Sequence, residues 1–256
     1  MFIYLRHLRQ RLIKSNSILK YFLYGLGELV LIVMGILLAL YVDNWNDHRL
    51  EKKREQFYLT ELRAEFEGSR IKLENLISAN RATYKKAGEI ANVMAFGGKD
   101  LNEIEFSGLL FHSFSDEMTY NPNNSVLQEM LNSGRLEYLS DPNLRGHLTT
   151  WSSRLEQIRQ QEQNLRDQRS EVMELTLREG GDIRAILENT GILTGEMGLE
   201  PSPEKGSNMD LLQSRSLENH LLIFILTAQL TEKNHYQPLY EEIEIILELI
   251  DKSLAD

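Results

Sequence analysis

Apolar residues fall into one unbroken run and several long stretches where they recur every three or four positions. From Tyr21 to Val42 the chain reads YFLYGLGELVLIVMGILLALYV, twenty-two residues with Glu28 as the one charged side chain. At about 1.5 Å per residue, a helix of that length reaches across a hydrocarbon core of roughly 30 Å. The apolar core of a signal peptide is shorter, about 7 to 15 residues, and Ala39-Leu40-Tyr41 makes a poor cleavage site. The expectation is a transmembrane helix over residues 21–42 that is retained in the protein.

Beyond it the pattern is helical throughout. Leu59, Leu62, Phe66, Ser69, Leu73, Leu76, Asn80, Thr83, Ala87, Ile90 and Met94 follow alternating steps of three and four, a heptad seam with polar interruptions. It predicts a stalk helix over about 43–96, ended by Gly97 and Gly98. Asp100 with Glu103 has the spacing of a capping box opening a short helix over about 101–115, and Ser125 opens another to about 134. Asp141 before Pro142 starts a long helix over about 142–179. Its seam is Leu144, Leu148, Trp151, Leu155, Ile158, Glu162, Leu165, Arg169 and Val172. Residues 190–208 hold four glycines and two prolines and read as a long loop, mobile or a contact surface. A last helix follows over about 209–254, kinked and shifted in phase at Pro238. Its apolar run Leu221 to Leu230 is too short to span a bilayer and reads as a core segment. The predicted fold is all-α: one N-terminal transmembrane helix continuing into a stalk, then an extended antiparallel helical bundle.

Charge adds direction. Residues 1–42 carry five basic side chains and Glu28, net +4; the other 214 residues carry 23 basic and 37 acidic, net −14. So acidic a domain repels phosphate backbones, which makes nucleic acid an unexpected partner. Five cations precede the span, while Arg49, Lys52, Lys53 and Arg54 follow it, so the positive-inside rule puts the N-terminus inside. The expected layout is a basic cytoplasmic segment 1–20, the span 21–42 and an extracytoplasmic domain 43–256. Phe2, Leu5, Leu8 and Leu12 give the leading segment an amphipathic pattern suited to an anionic leaflet.

Candidate chemistry is sparse. The absence of cysteine excludes disulfides and thiolate sites. No phosphate-binding glycine loop, HExxH, GxSxG or EF-hand spacing occurs, and no two histidines stand at i, i+4. No enzyme activity, cofactor or metal is expected. Two sets of residues stand out. On a helical wheel Gly25, Glu28, Ile32, Gly35 and Ala39 share one face of the span, where small residues permit close helix approach and Glu28 needs a partner. This is a candidate homo-oligomerisation stripe. The alternative is that Glu28 is protonated or snorkels, and that the glycines reflect only their frequency in spanning helices. Asn80, Thr83, Glu162, Arg169 and His235 occupy seam positions where apolar residues are the rule. They are either a ligand-binding layer or register-setting polar contacts. Tyr120-Asn121-Pro122-Asn123 is likewise either a recognition loop or ordinary turn chemistry.

Gly27-Glu28, Gly35-Ile36-Leu37-Leu38-Ala39-Leu40 and Asn44-Trp45-Asn46 together resemble the N-terminal signature of a family of uncharacterised bacterial single-pass membrane proteins, catalogued as a domain of unknown function. Tyr120-Asn121, followed by Leu127, Leu131, Ser133-Gly134, Leu136, Leu139 and Ser140, is similar to that family's central stretch. Tyr41-Val42-Asp43 and the glycine-rich loop depart from it. The resemblance implies the bacterial inner membrane and supplies no activity. The expected function is a membrane-anchored helical interaction or scaffold module of the envelope. Its partners would be the bilayer, further copies of itself and an envelope protein. A ligand-sensing bundle is the second expectation, and an enzyme with an unrecognised site the third.

Overall fold

A computed structural model of the chain describes residues 18–97 and 101–255, and every regular element in them is helical. Phe2, Leu5, Leu8, Leu12 and Asp100 lie outside the described residues. The chain divides into two compact units, one ending at Phe57 and the other beginning at Tyr58. Helix α1, Ile18–Ala95, supplies the described part of the first unit and continues into the second.

In the first unit every residue from Gly25 to Arg54 is exposed. By length and composition α1 is able to cross a membrane, and its most apolar window is 0% buried.

In the second unit the eleven seam residues of α1, Leu59 to Met94, are all buried. Their partners form an up-down-up-down arrangement. The second member descends through α2 (Glu103–Phe114), an irregular stretch, α3 (Ser125–Ser133) and a 3₁₀ turn (Arg135–Tyr138). Contacts from Phe114 to Arg169, Tyr120 to Glu162, Val126 to Glu65 and Arg135 to Tyr58 trace that descent. The third member, α4 (Pro142–Arg178), climbs again, with Trp151 packed edge-on against Phe66 at 5.0 Å. Last come α7 (Arg215–Thr231) and α8 (Gln237–Ala255), antiparallel to α1. Ion pairs Arg81–Glu232, Arg70–Glu244 and Arg63–Asp251 mark the register.

Local chemistry sets the element ends. Asp141 caps α4 by accepting the N–H groups of Asn143 (2.7 Å) and Leu144 (3.4 Å), with Pro142 in the first turn. Gly134 ends α3 at φ 73°, a left-handed conformation that favours glycine. The capping box of α2 is Asn102 with Glu105, two residues beyond the expected pair. Glu103 is engaged elsewhere, accepting the N–H of Asn208 at 3.0 Å and the hydroxyl of Ser207 at 2.6 Å.

That contact also corrects the expected open loop. The region contains α6 (Ile192–Gly195), directly after α5 (Ile183–Asn189), and Asn208 is buried. Its amide pairs with the backbone of Asp182 in both directions, accepting at 2.7 Å and donating at 3.0 Å. Residues Met209–Gln213 close a 3₁₀ turn, so α7 starts at Arg215, capped by Ser214.

The phase shift expected at Pro238 is a π turn, Glu232–Tyr236, between α7 and α8. The N–H of Gln237 bonds five residues back to the Glu232 carbonyl. A proline ring clashes with the carbonyl four residues earlier in an α-helix, and the wider turn relieves that contact. The buried series runs Leu217, Leu221, Phe224, Ala228, Thr231, then Tyr236, Leu239, Ile243, Ile246 and Ile250. One step of five interrupts the threes and fours, and it brings Tyr236 inward in place of His235.

Candidate functional site

The second member of the bundle is broken at residues 115–124, and an irregular backbone packed against a core must find partners for its N–H groups. Side chains of α1 and α4 provide them. The Glu162 carboxylate accepts the N–H of Tyr120 at 2.8 Å and the hydroxyl of Tyr236 at 3.3 Å. Ser69 accepts the N–H of Asn123 at 3.0 Å and donates to the Glu65 carbonyl at 2.9 Å, while the Tyr120 hydroxyl donates to the Ser69 carbonyl at 3.1 Å. Glu65 accepts the N–H groups of Val126 (2.7 Å) and Leu127 (3.0 Å) and the hydroxyl of Ser125 (3.3 Å). It thereby caps α3, whose own N-cap residue, Asn124, makes no side-chain cap bond. Anionic groups favour that position because the helix dipole is positive there.

Burial pushes the Glu162 carboxyl above its ordinary value, against the pull of the Tyr120 N–H and the Tyr236 hydroxyl. It raises the phenols of Tyr120 and Tyr236 as well. Each of these groups is already bonded to the protein's own atoms. A third buried carboxylate, Glu242, meets His147 at 2.8 Å and Arg154 at 3.0 Å.

The five predicted seam residues do not converge. Asn80 donates to the Ala228 carbonyl at 3.0 Å, and Thr83 is buried one turn on. Arg169 holds the Phe114 carbonyl through Nε at 3.0 Å and a terminal nitrogen. His235 is half-buried and turned from the core by the π turn, and burial lowers its pKa. Glu162 alone joins the polar break. Tyr120-Asn121-Pro122-Asn123 is pinned inward at Tyr120 and Asn123, so its backbone contacts are internal. In the apolar stretch of α1, Gly25, Glu28, Ile32, Gly35 and Ala39 are exposed.

Sequence reading overlooked two features. Glu65 sits beside Phe66 in a pattern typical of a solvated acid, yet is 6% exposed. The run Leu221–Leu230 packs Leu221, Phe224 and Ala228 inward while Leu222, Ile223, Leu226 and Leu230 stay exposed, at 49, 48, 56 and 42%. A helix apolar on both faces is ordinarily covered on both. Elsewhere Leu110, Phe111, Phe114, Met173, Ile183 and Ile186 help line an apolar cleft of ≈ 200 Å³.

DUF6090, a family of unknown function, matches residues 28–174, more than half of the chain. The chain belongs to this family. No curated protein and no solved structure matches it. The DUF6090 match begins at Glu28 in the apolar stretch, takes in the polar break with Glu65 and Glu162, and ends within α4. The exposed face of α7 lies beyond it.

Proposed function

We propose that this DUF6090 protein is a membrane-anchored helical module that docks an envelope protein on the outer face of α7. The observation that carries the reading is the exposed row Leu222, Ile223, Leu226 and Leu230 on a helix whose opposite face is already in the core. Contiguous exposed apolar surface marks interaction sites. Exposed Asn219 and Lys233 flank the row, so the partner that fits is an apolar helix with a hydrogen-bonding side chain opposite the Asn219 amide and an acidic one opposite Lys233. The apolar stretch of α1 serves as the anchor, with the domain outside the cytoplasm, in keeping with the five cations ahead of the span. The Gly25, Glu28, Ile32, Gly35, Ala39 face supports self-association within the bilayer.

A photo-crosslinking side chain at position 226, introduced in cells, is expected to give a discrete heterologous adduct that Ile223→Glu abolishes without altering the thermal unfolding of the chain. Adducts with the chain itself alone, or none, overturn the docking face. The apolar cleft beside α2 and α5 favours a ligand-sensing reading instead, and a ligand-induced rise in thermal stability, lost on Phe111→Trp, would support that reading.

A further inference from the structure

Charge around α1 is sorted by face just beyond the apolar stretch. At about 100° per residue, Trp45, His48, Arg49, Lys52, Lys53 and Gln56 fall on one arc of roughly 140°. They line a single shallow groove along the helix surface. Asp43, Asp47, Glu51 and Glu55 occupy the opposite arc of roughly 120°, with Arg54 among them. His48 Nδ1 and Glu51 face each other at 3.4 Å where the two arcs meet. Trp45 and Arg49 are both exposed, Trp45 at 59%. With Val42 at the edge of the hydrocarbon, Trp45 stands about 4.5 Å beyond it and Arg49 about 10 Å. Trp45 thus stands in the headgroup layer, where an indole ring partitions, and Arg49 lies just past it, within side-chain reach of the phosphates. Lys52 and Lys53 lie about a turn farther out, on stems long enough to reach back.

We infer that the face bearing Trp45, Arg49, Lys52 and Lys53 is a binding surface for anionic phospholipid headgroups, and that the acidic face opposite makes it one-sided. The occupant follows from charge complementarity and from continuity with the apolar stretch, which holds the stripe at the membrane surface. A uniform ring of cations would attract anionic lipid equally all round the helix. Here Asp43, Asp47 and Glu51 repel it from one side, so the helix leaves the bilayer tilted toward its basic face. Each cation held near an anionic surface favours binding by about a factor of five before screening by salt.

The inference rests on the anchoring reading, and one experiment separates the two. The chain holds two tryptophans, Trp45 and the fully buried Trp151. Quenching by bromine on lipid acyl chains therefore reports Trp45. The full chain is reconstituted in nanodiscs of phosphatidylcholine with a fixed fraction of phosphatidylglycerol, and bromine is placed on one lipid or the other. The expected result is stronger quenching per brominated phosphatidylglycerol than per brominated phosphatidylcholine, by about threefold or more at low salt. R49Q/K52Q/K53Q is expected to equalise the two lipids, and R49K/K52R/K53R to keep the preference. Equal quenching by both lipids in the unaltered chain overturns the headgroup inference and leaves the anchor standing. No quenching by either overturns both.

Discussion

Two buried carboxylates answer the same local need in different ways, and they predict different behaviour. Glu65 meets two backbone N–H groups and a hydroxyl at the start of α3. Glu65→Ala leaves the buried Leu127 N–H and the half-buried Val126 N–H without a partner, and a loss of about 3 kcal/mol is expected in urea unfolding. A loss under about 0.5 kcal/mol, the range of ordinary surface changes, would mean that α3 needs no such cap. Glu162 differs because burial raises its carboxyl in the folded state. Its contribution to stability is complete below the ordinary carboxyl value of 4.5 and is lost as pH rises through the raised folded value. Glu162→Gln removes that loss, so the variant should gain on the wild type between pH 4 and pH 7, as read from urea midpoints. A variant that loses ground to the wild type as pH rises toward 7 contradicts the sign. Neither role was legible at the level of single residues. Glu162 was visible as a polar intruder in a seam, but its partners, Tyr120 and Tyr236, lie 42 and 74 positions away. Glu65 gave no signal because its partner N–H groups belong to a turn about 60 residues on.

The long helices were readable because burial in a bundle imposes its own spacing. Every seam residue named from Leu59 to Met94 is buried, and α4 follows its series with only Arg169 half out. The start of α4 was also readable, since Asp141-Pro142 acts within a turn of itself; α3 does start at Ser125, but its cap is the distant Glu65. Reading failed where a distant group took over a local signal, as when Asn208 drew Glu103 away from the expected capping box. It failed again at the π turn, where a proline's steric demand promotes Tyr236 over His235. Deleting Asn234 makes this testable. A helix one residue shorter would carry Thr231 and Tyr236 four apart, in step with the α pattern, but would deny Pro238 its widened turn. The deletion should cost about 3 kcal/mol, and adding Pro238→Ala should recover most of it. If the double variant is no more stable than the deletion alone, the proline is not the cause of the π turn.

At the scale of the molecule, the boundary at Phe57 separates an exposed apolar helix from a bundle with its own core. Residues 58–256 should therefore fold without detergent and show a single cooperative urea transition by circular dichroism. A non-cooperative loss of helicity would show that the bundle depends on the first unit. Periodicity picks out Leu217, Leu221, Phe224 and Ala228 as the inward face of α7, and all four are buried; what it does not show is whether Leu222, Ile223, Leu226 and Leu230 on the other side are covered. The order of the four members has a further consequence in time. A chain grows from its N-terminus at about 5–20 residues per second, and α7 begins about 120 residues after α1 ends. The seam of α1 thus waits about 6 to 24 seconds for the last of its covers. During that interval the side chains destined for the side of the core that α7 and α8 close face solvent in every newly made molecule, next to neighbours in the same condition. Leu73 and Leu76, mid-seam, are the positions at which a growing chain is most open to pairing with the wrong helix.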